Sequence, residues 1–190
     1  NDNPIPGATV VLAATGAGNA ITQPAGTTNA SGVAAGSLVS TAVGAKVVSA
    51  TVNGVAITAE PTVTVTVGVV SAGVSTLVAD SATLAAGGGS TIITVTARDA
   101  GGNPIEGATV VLAATGTGNT LTQPAITTGA DGTATGTLSS TDPGAKVITA
   151  TIDGTPVTQD ATVTVVIGPP SLATSQVTVH YRGTFMDGTE

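Results

Sequence analysis

The 190 residues contain a single imidazole, His180, so proton transfer near neutral pH would run through it or through the eleven carboxylates. A Ser–His–Asp relay is not credible on one His, and the many Ser and Thr fit exposed strand faces. With no Cys, the chain can form no disulfide, thiolate zinc site or thiol nucleophile. The stretch AAGGGST (85–91) has the glycine content of a phosphate loop, but no Lys follows it and no helix begins there. It reads as a turn or bulge. Asp99, Glu106, Asp131, Asp142, Asp153 and Asp160 could gather at one end of a fold and hold calcium, which takes six to eight oxygens. No D-x-D-x-D run is present, so turn-forming Asp is the stronger reading. The sequon Asn29-Ala30-Ser31 reads the same way. No catalytic residue, metal ligand or cofactor is assigned.

Charge excludes further classes. The formal net charge is −7, and the only cations besides His180 are Lys46, Arg98, Lys146 and Arg182. Four scattered cations cannot track phosphates, so no nucleic acid is expected as a partner, nor an anionic lipid surface. No apolar run approaches the roughly 18 residues of a spanning helix, so no membrane insertion is expected. Aromatic residues make up 1% of the chain. Pockets for small molecules normally have aromatic and apolar walls, so no small-molecule substrate is expected either.

The elements that must position any site are strands. Short Val/Ile/Thr runs (Ala8–Ala14, Lys46–Asn53, Thr62–Val67) recur at roughly 8–12 residue spacing between Gly, Asn, Asp and Pro. TVTVTV alternates, packing one face and wetting the other. AspGly at 131–132 and 153–154, and AspProGly at 142–144, supply the positive φ angles of tight turns. The strands repeat. NPIPGATVVLAATGAGNAITQPAGTT (3–28) returns as NPIEGATVVLAATGTGNTLTQPAITT (103–128), and GAKVVSATVNG (44–54) as GAKVITATIDG (144–154). The offset is 100 without a gap, with roughly 60% of aligned positions identical, far above chance. The second copy has two further strand candidates, around Ser75–Leu84 and Thr91–Arg98, which the first copy lacks. Residues 71–168 thus make about seven strands, the size of an immunoglobulin-like sandwich.

The expected fold is all-β: tandem immunoglobulin-like β-sandwiches, the first without its N-terminal strands. The expected boundaries are 1–68 for the incomplete domain, 69–168 for the complete one and 169–190 for a tail, with Val69–Val74 as linker. The patterns D-x-x-G-N-P-I-x-G (99–107), T-x-x-D-G-x-A (128–134) and G-x-x-V-x-x-A-x-I-x-G (144–154) resemble the bacterial Ig-like domains of group 1. Those repeats build the stalks of intimin- and invasin-type adhesins. The resemblance covers about 1–168 and carries no catalytic or ligand residues with it.

The tail SQVTVHYRGTFMDGTE (175–190) uses a different alphabet and holds the sole His, Tyr, Phe and Met of the chain. Its Val177, Val179, His180, Tyr181, Gly183, Asp187 and Gly188 resemble the start of FKBP-type peptidyl-prolyl isomerases. That likeness implies a proline-pocket role for Tyr181 only in a complete isomerase domain, of which fourteen residues are a stump. Read without the family, Val177, Val179, Tyr181 and Phe185 form the apolar face of one strand. Such a strand would complete the first domain of a neighbouring copy, by donor-strand addition. Three functions follow as expectations. The first is a non-catalytic stalk, adhesin or fibre repeat outside a bacterial cell or on its surface. The second is a head-to-tail filament subunit, and the third the Ig-like part of a prolyl isomerase. The expected partners are neighbouring copies or adjacent repeats.

Overall fold

The computed structural model describes residues 3–168, and every regular element within them is a strand. Among the described residues no helix is long and apolar enough to cross a membrane. The first unit holds β1 (Val10–Ala14), β2 (Asn19–Thr22), β3 (Ser37–Ser40), β4 (Gly44–Val52), β5 (Val55–Ala56) and β6 (Thr62–Val65). The second holds β7 (Thr76–Ala79), β8 (Thr83–Ala85), β9 (Ser90–Thr96), β10 (Val110–Ala114), β11 (Asn119–Thr122), β12 (Thr133–Ser140), β13 (Gly144–Ile152), β14 (Thr155–Pro156) and β15 (Ala161–Val166).

The second unit is a two-sheet sandwich. One sheet runs β10-β13-β15-β8 with β14 on β13, and the other runs β11-β12-β9-β7. Strand alternation sends every second side chain inward. From the first sheet these are Ile148, Ile152, Val163 and Val165; from the second, Leu77, Ile93, Val95 and Leu138. All eight are essentially sealed from solvent. The core is aliphatic because the gap between facing sheets is filled from both sides by short branched chains.

Turn chemistry is legible in the dihedrals. Asp153 and Gly154 have φ of 48° and 79°, and Asn53 and Gly54 have 48° and 81°. Two successive left-handed residues are what a type I′ hairpin needs, and they join β13 to β14 and β4 to β5. The Gly-rich stretch turns β8 into β9, with the Gly87 N–H donating to Ser140 O at 2.9 Å.

The strand count differs from expectation in the added segment. Ser75–Leu84 is not one strand but two, β7 and β8, in different sheets. The break falls at Asp80–Ala82: Asp80 N–H still bonds Ile92 O, whereas Ala82 O already accepts from Thr164 N–H. β8 then pairs in parallel with β15. The second unit therefore has nine strands rather than seven, two of them only two or three residues long.

The first unit keeps the second unit's register: Val10 faces Val52 across β1–β4 as Val110 faces Ile152 across β10–β13. It has counterparts of β10–β15 but, among the described residues, none of β7, β8 or β9. Three strands are therefore wanting, where two were expected.

Candidate assembly cleft

Losing the counterpart of β9 has two consequences. In the second unit β12 pairs with β9 from Thr133↔Thr96 to Ser139↔Ser90, and β12 is eight residues long. In the first unit the equivalent strand, β3, keeps only the four residues that pair with β2. Residues 33–36 have no ladder partner and leave the strand. The edge facing the missing element presents unpaired N–H and C=O groups, which makes it a template for another strand.

The second consequence is an open core. Ile105 is 9% exposed but its counterpart Ile5 is 64% exposed. Val163 is 0% exposed against 45% for Val63, and Val157 is 6% against 42% for Ile57. Near-identical sequence is thus sealed in one unit and open in the other. Ile5 and Ile57 meet Val10, Leu12, Val33 and Val52 around a cleft of about 510 Å³.

Polar groups around the cleft brace the scaffold. The Thr28 hydroxyl donates to Ile5 O at 2.6 Å and accepts from Ala8 N–H at 2.9 Å, as Thr128 does with Ile105 and Ala108. Gln23 pairs with both backbone groups of Leu12, its Oε1 accepting at 2.7 Å and its Nε2 donating at 2.8 Å. Lys46 and Lys146 are buried, each donating Nζ to a turn carbonyl, Ala17 O at 2.9 Å and Thr117 O at 2.8 Å.

The acids occupy separate places. Asp131 accepts from the Thr133 N–H at 2.9 Å, Asp142 from the Thr117 hydroxyl at 2.6 Å and Asp153 from the Thr109 N–H at 2.8 Å. Backbone and hydroxyl donation from Thr133 holds the Asp131 carboxyl below its ordinary value. Asp99 is buried beside the connection between the units. Burial works to raise its pKa, but N–H donation from Gly68, Asn103 and Gly101 and from the Asn103 amide outweighs it, leaving the carboxyl below its usual value. Among the described residues no three His, Cys, Asp or Glu side chains come together as metal ligands. Asn29 is a turn residue, its Oδ1 accepting from Ser31 and Val33 N–H.

The strand expected to assemble, Val177, Val179, Tyr181 and Phe185, lies outside the described residues, as does His180. The Asp99–Asn103 pairing and the two buried lysines were not anticipated. For the lysines a signal exists: Lys146 is in phase with Ile148, Ala150 and Ile152 on β13, so alternation alone turns it inward.

Residues 74–166 match the family model of the bacterial Ig-like domain (group 1). That stretch is a group 1 bacterial Ig-like domain. Its family and its adhesin neighbours make this Ig-like domain non-catalytic. No curated protein matches the chain. Among solved structures, the Escherichia coli adhesin FdeC superposes with a TM-score of 0.56 at 27% identity, covering 88% of this chain and 55% of that one. InvD of Yersinia pseudotuberculosis superposes with a TM-score of 0.53 at 25% identity, covering 90% of this chain and 51% of that one. The chain therefore spans about half the length of the structures it resembles.

Proposed function

We propose that the chain is a non-catalytic structural module, a stalk, adhesin or fibre repeat, of a bacterial extracellular or cell-surface protein. The observation that carries this reading is the repetition of one strand plan at an offset of 100 residues, from Val10↔Val52 to Val110↔Ile152. Likeness to FdeC, named an adhesin, supports the surface setting. The job is spacing: sheet hydrogen bonds carry load along each unit and a short connection passes it to the next. To test this, residues 69–168 are displayed in one, two and three copies between an outer-membrane anchor and a terminal epitope. Epitope height above the cell surface should rise with copy number. A height independent of copy number overturns the reading.

The cleft favours a second, finer reading: the chain is a filament subunit whose 175–190 strand completes the first unit of a neighbour. In the second unit the filling strand turns Thr91, Ile93, Val95 and Ala97 inward, all buried. The tail offers the same alternation in Val177, Val179, Tyr181, Gly183 and Phe185. A strand laid on the free edge of β3 would gain main-chain hydrogen bonds and put its apolar face into the cleft. Such a tail-to-cleft contact is heterologous, so it propagates into a fibre.

A further inference from the structure

We infer that the Asp99–Asn103 turn is a docking element for the distal loop of the Ig-like unit before it, and that the loop sequence Thr41-Ala42-Val43 is what it selects. The inference concerns the coupling of the units and stands whatever fills the cleft.

The connection itself leaves little freedom. β6 ends at Val65, and the Gly68 N–H already donates to Asp99 Oδ2 at 2.9 Å. Only Thr66 and Val67 lie between. Beyond Gly68 the chain stays pinned to the second unit: Val70 packs on its core, Ser71 N–H donates to Arg98 O at 2.8 Å, and Thr158 N–H donates to Ala72 O at 3.1 Å.

The turn then reaches across. Asn103 Nδ2 donates to Thr41 O at 2.8 Å, and the Val43 N–H approaches Asn103 Oδ1 at 3.4 Å. The same Asn103 amide is aimed by Asp99, whose carboxylate accepts from it at 2.9 and 3.0 Å. Asp99 is held in turn by the Gly101 and Asn103 N–H groups, both at 2.9 Å. Oδ1 is thus committed to orienting the turn, while Oδ2 is shared between the Asn103 amide and the Gly68 N–H of the connection. Gly101 completes the fit. A side chain there would run into Thr41 O of the first unit and into the Asn103 amide nitrogen of the turn itself, although the Gly101 backbone is not left-handed. Close approach, by the neighbouring unit and by the Asn103 amide between the two, and not a left-handed backbone, therefore requires glycine at this position.

The second unit supplies the contrast. Its distal loop has the same shape: Thr41 and Thr141 N–H donate to Gly18 O and Gly118 O, each at 3.0 Å, and Gly44 and Gly144 have φ of 118° and 125°. The chemistry differs, because Thr141 is followed by Asp142 and Pro143. Pro143 has no N–H to offer an asparagine oxygen. Asp142 puts a carboxylate, held by the Thr117 hydroxyl at 2.6 Å, into the loop where the first unit has Ala42, a charge of the same sign as the incoming aspartate. The partner that fits an Asp-x-x-x-Asn turn is therefore a neutral loop with a free N–H, of the Thr41-Ala42-Val43 kind.

The chain has no cysteine, so V11C with V111C gives two unique spin-label sites on the exposed sides of β1 and β10. In the otherwise unaltered full chain the label-to-label distance should be a single narrow peak. A42D/V43P writes the second unit's loop into the first, a sequence that already folds on this backbone, and should broaden the peak. G101A should displace it by wedging Thr41 away, and its lesion lies outside the loop should A42D/V43P perturb the first unit's melting. A broad distribution in the unaltered chain overturns the proposal. So does an unchanged peak in both A42D/V43P and G101A.

Discussion

Thr128 is 2% exposed, and its hydroxyl both accepts from Ala108 N–H and donates to Ile105 O, tying down one stretch 20 and 23 residues earlier. T128V keeps the volume but strands a buried donor and a buried acceptor. Each unsatisfied group costs about 1–3 kcal/mol, so the second unit should lose on the order of 2–6 kcal/mol, read as a lower urea midpoint. An unshifted midpoint would show that the hydroxyl contributes nothing. Asp99 gives a pH signature at the same scale. Its folded pKa lies below the ordinary value, so its contribution is full above the unfolded pKa of about 4 and disappears as pH falls through the depressed folded value. Thermal stability should therefore fall on acidification below about pH 4, and D99N should flatten part of that slope. The remainder belongs in part to Asp131, whose pKa is displaced in the same direction. If D99N leaves the acid slope untouched, the pinned carboxylate is not the group responsible.

Between elements, the two units act as an internal control, because one plan is built once with β9 and once without it. Leu138 is 0% exposed in β12, between β11 and β9, whereas Leu38 is only half-buried in β3, which has β2 on one side and nothing on the other. Amide exchange reports this directly. The amides of Thr137–Ser140 should exchange several orders of magnitude more slowly than those of Ser37–Ser40, since edge amides open locally while core strands wait for global unfolding. Equal protection would mean that the cleft is closed in solution. The same comparison explains what could be read from sequence. The repeat and the AspGly hairpin at 153–154 are local, and each appears where expected, but the alternation of TVTVTV does not seal its valine face, because Val63 stays 45% exposed in the first unit. The division of Ser75–Leu84 between two sheets is not local: it depends on β15 offering a parallel edge to β8 about eighty residues later. The cleft was foreseeable as missing strands, but the Asp99–Asn103 contact was not. Its motif reads equally well as a turn, and only the neighbouring unit gives Asn103 its second partner.

For the whole molecule the question is what satisfies an open face in a chain that otherwise seals its cores. A cleft of about 510 Å³ lined by Ile5, Val10, Leu12 and Val52 is exposed apolar surface of the kind that marks an interaction site. A single added strand answers both deficits, pairing the free edge of β3 and filling the space that Ile93 and Val95 fill in the second unit. If residues 175–190 of another copy are that strand, molar mass measured by light scattering should grow with concentration and show a ladder of multiples. Removing residues 171–190 should collapse the ladder to monomer. Y181D with F185D should do the same while leaving the melting of the second unit intact, because both positions follow residues 69–168 in the sequence. Adding a synthetic 175–190 peptide in excess should cap the growing ends and shorten the species, as expected of a head-to-tail contact but not of a symmetric dimer, which would stop at two. An intact chain that stays monomeric at high concentration rules the filament out and leaves the stalk.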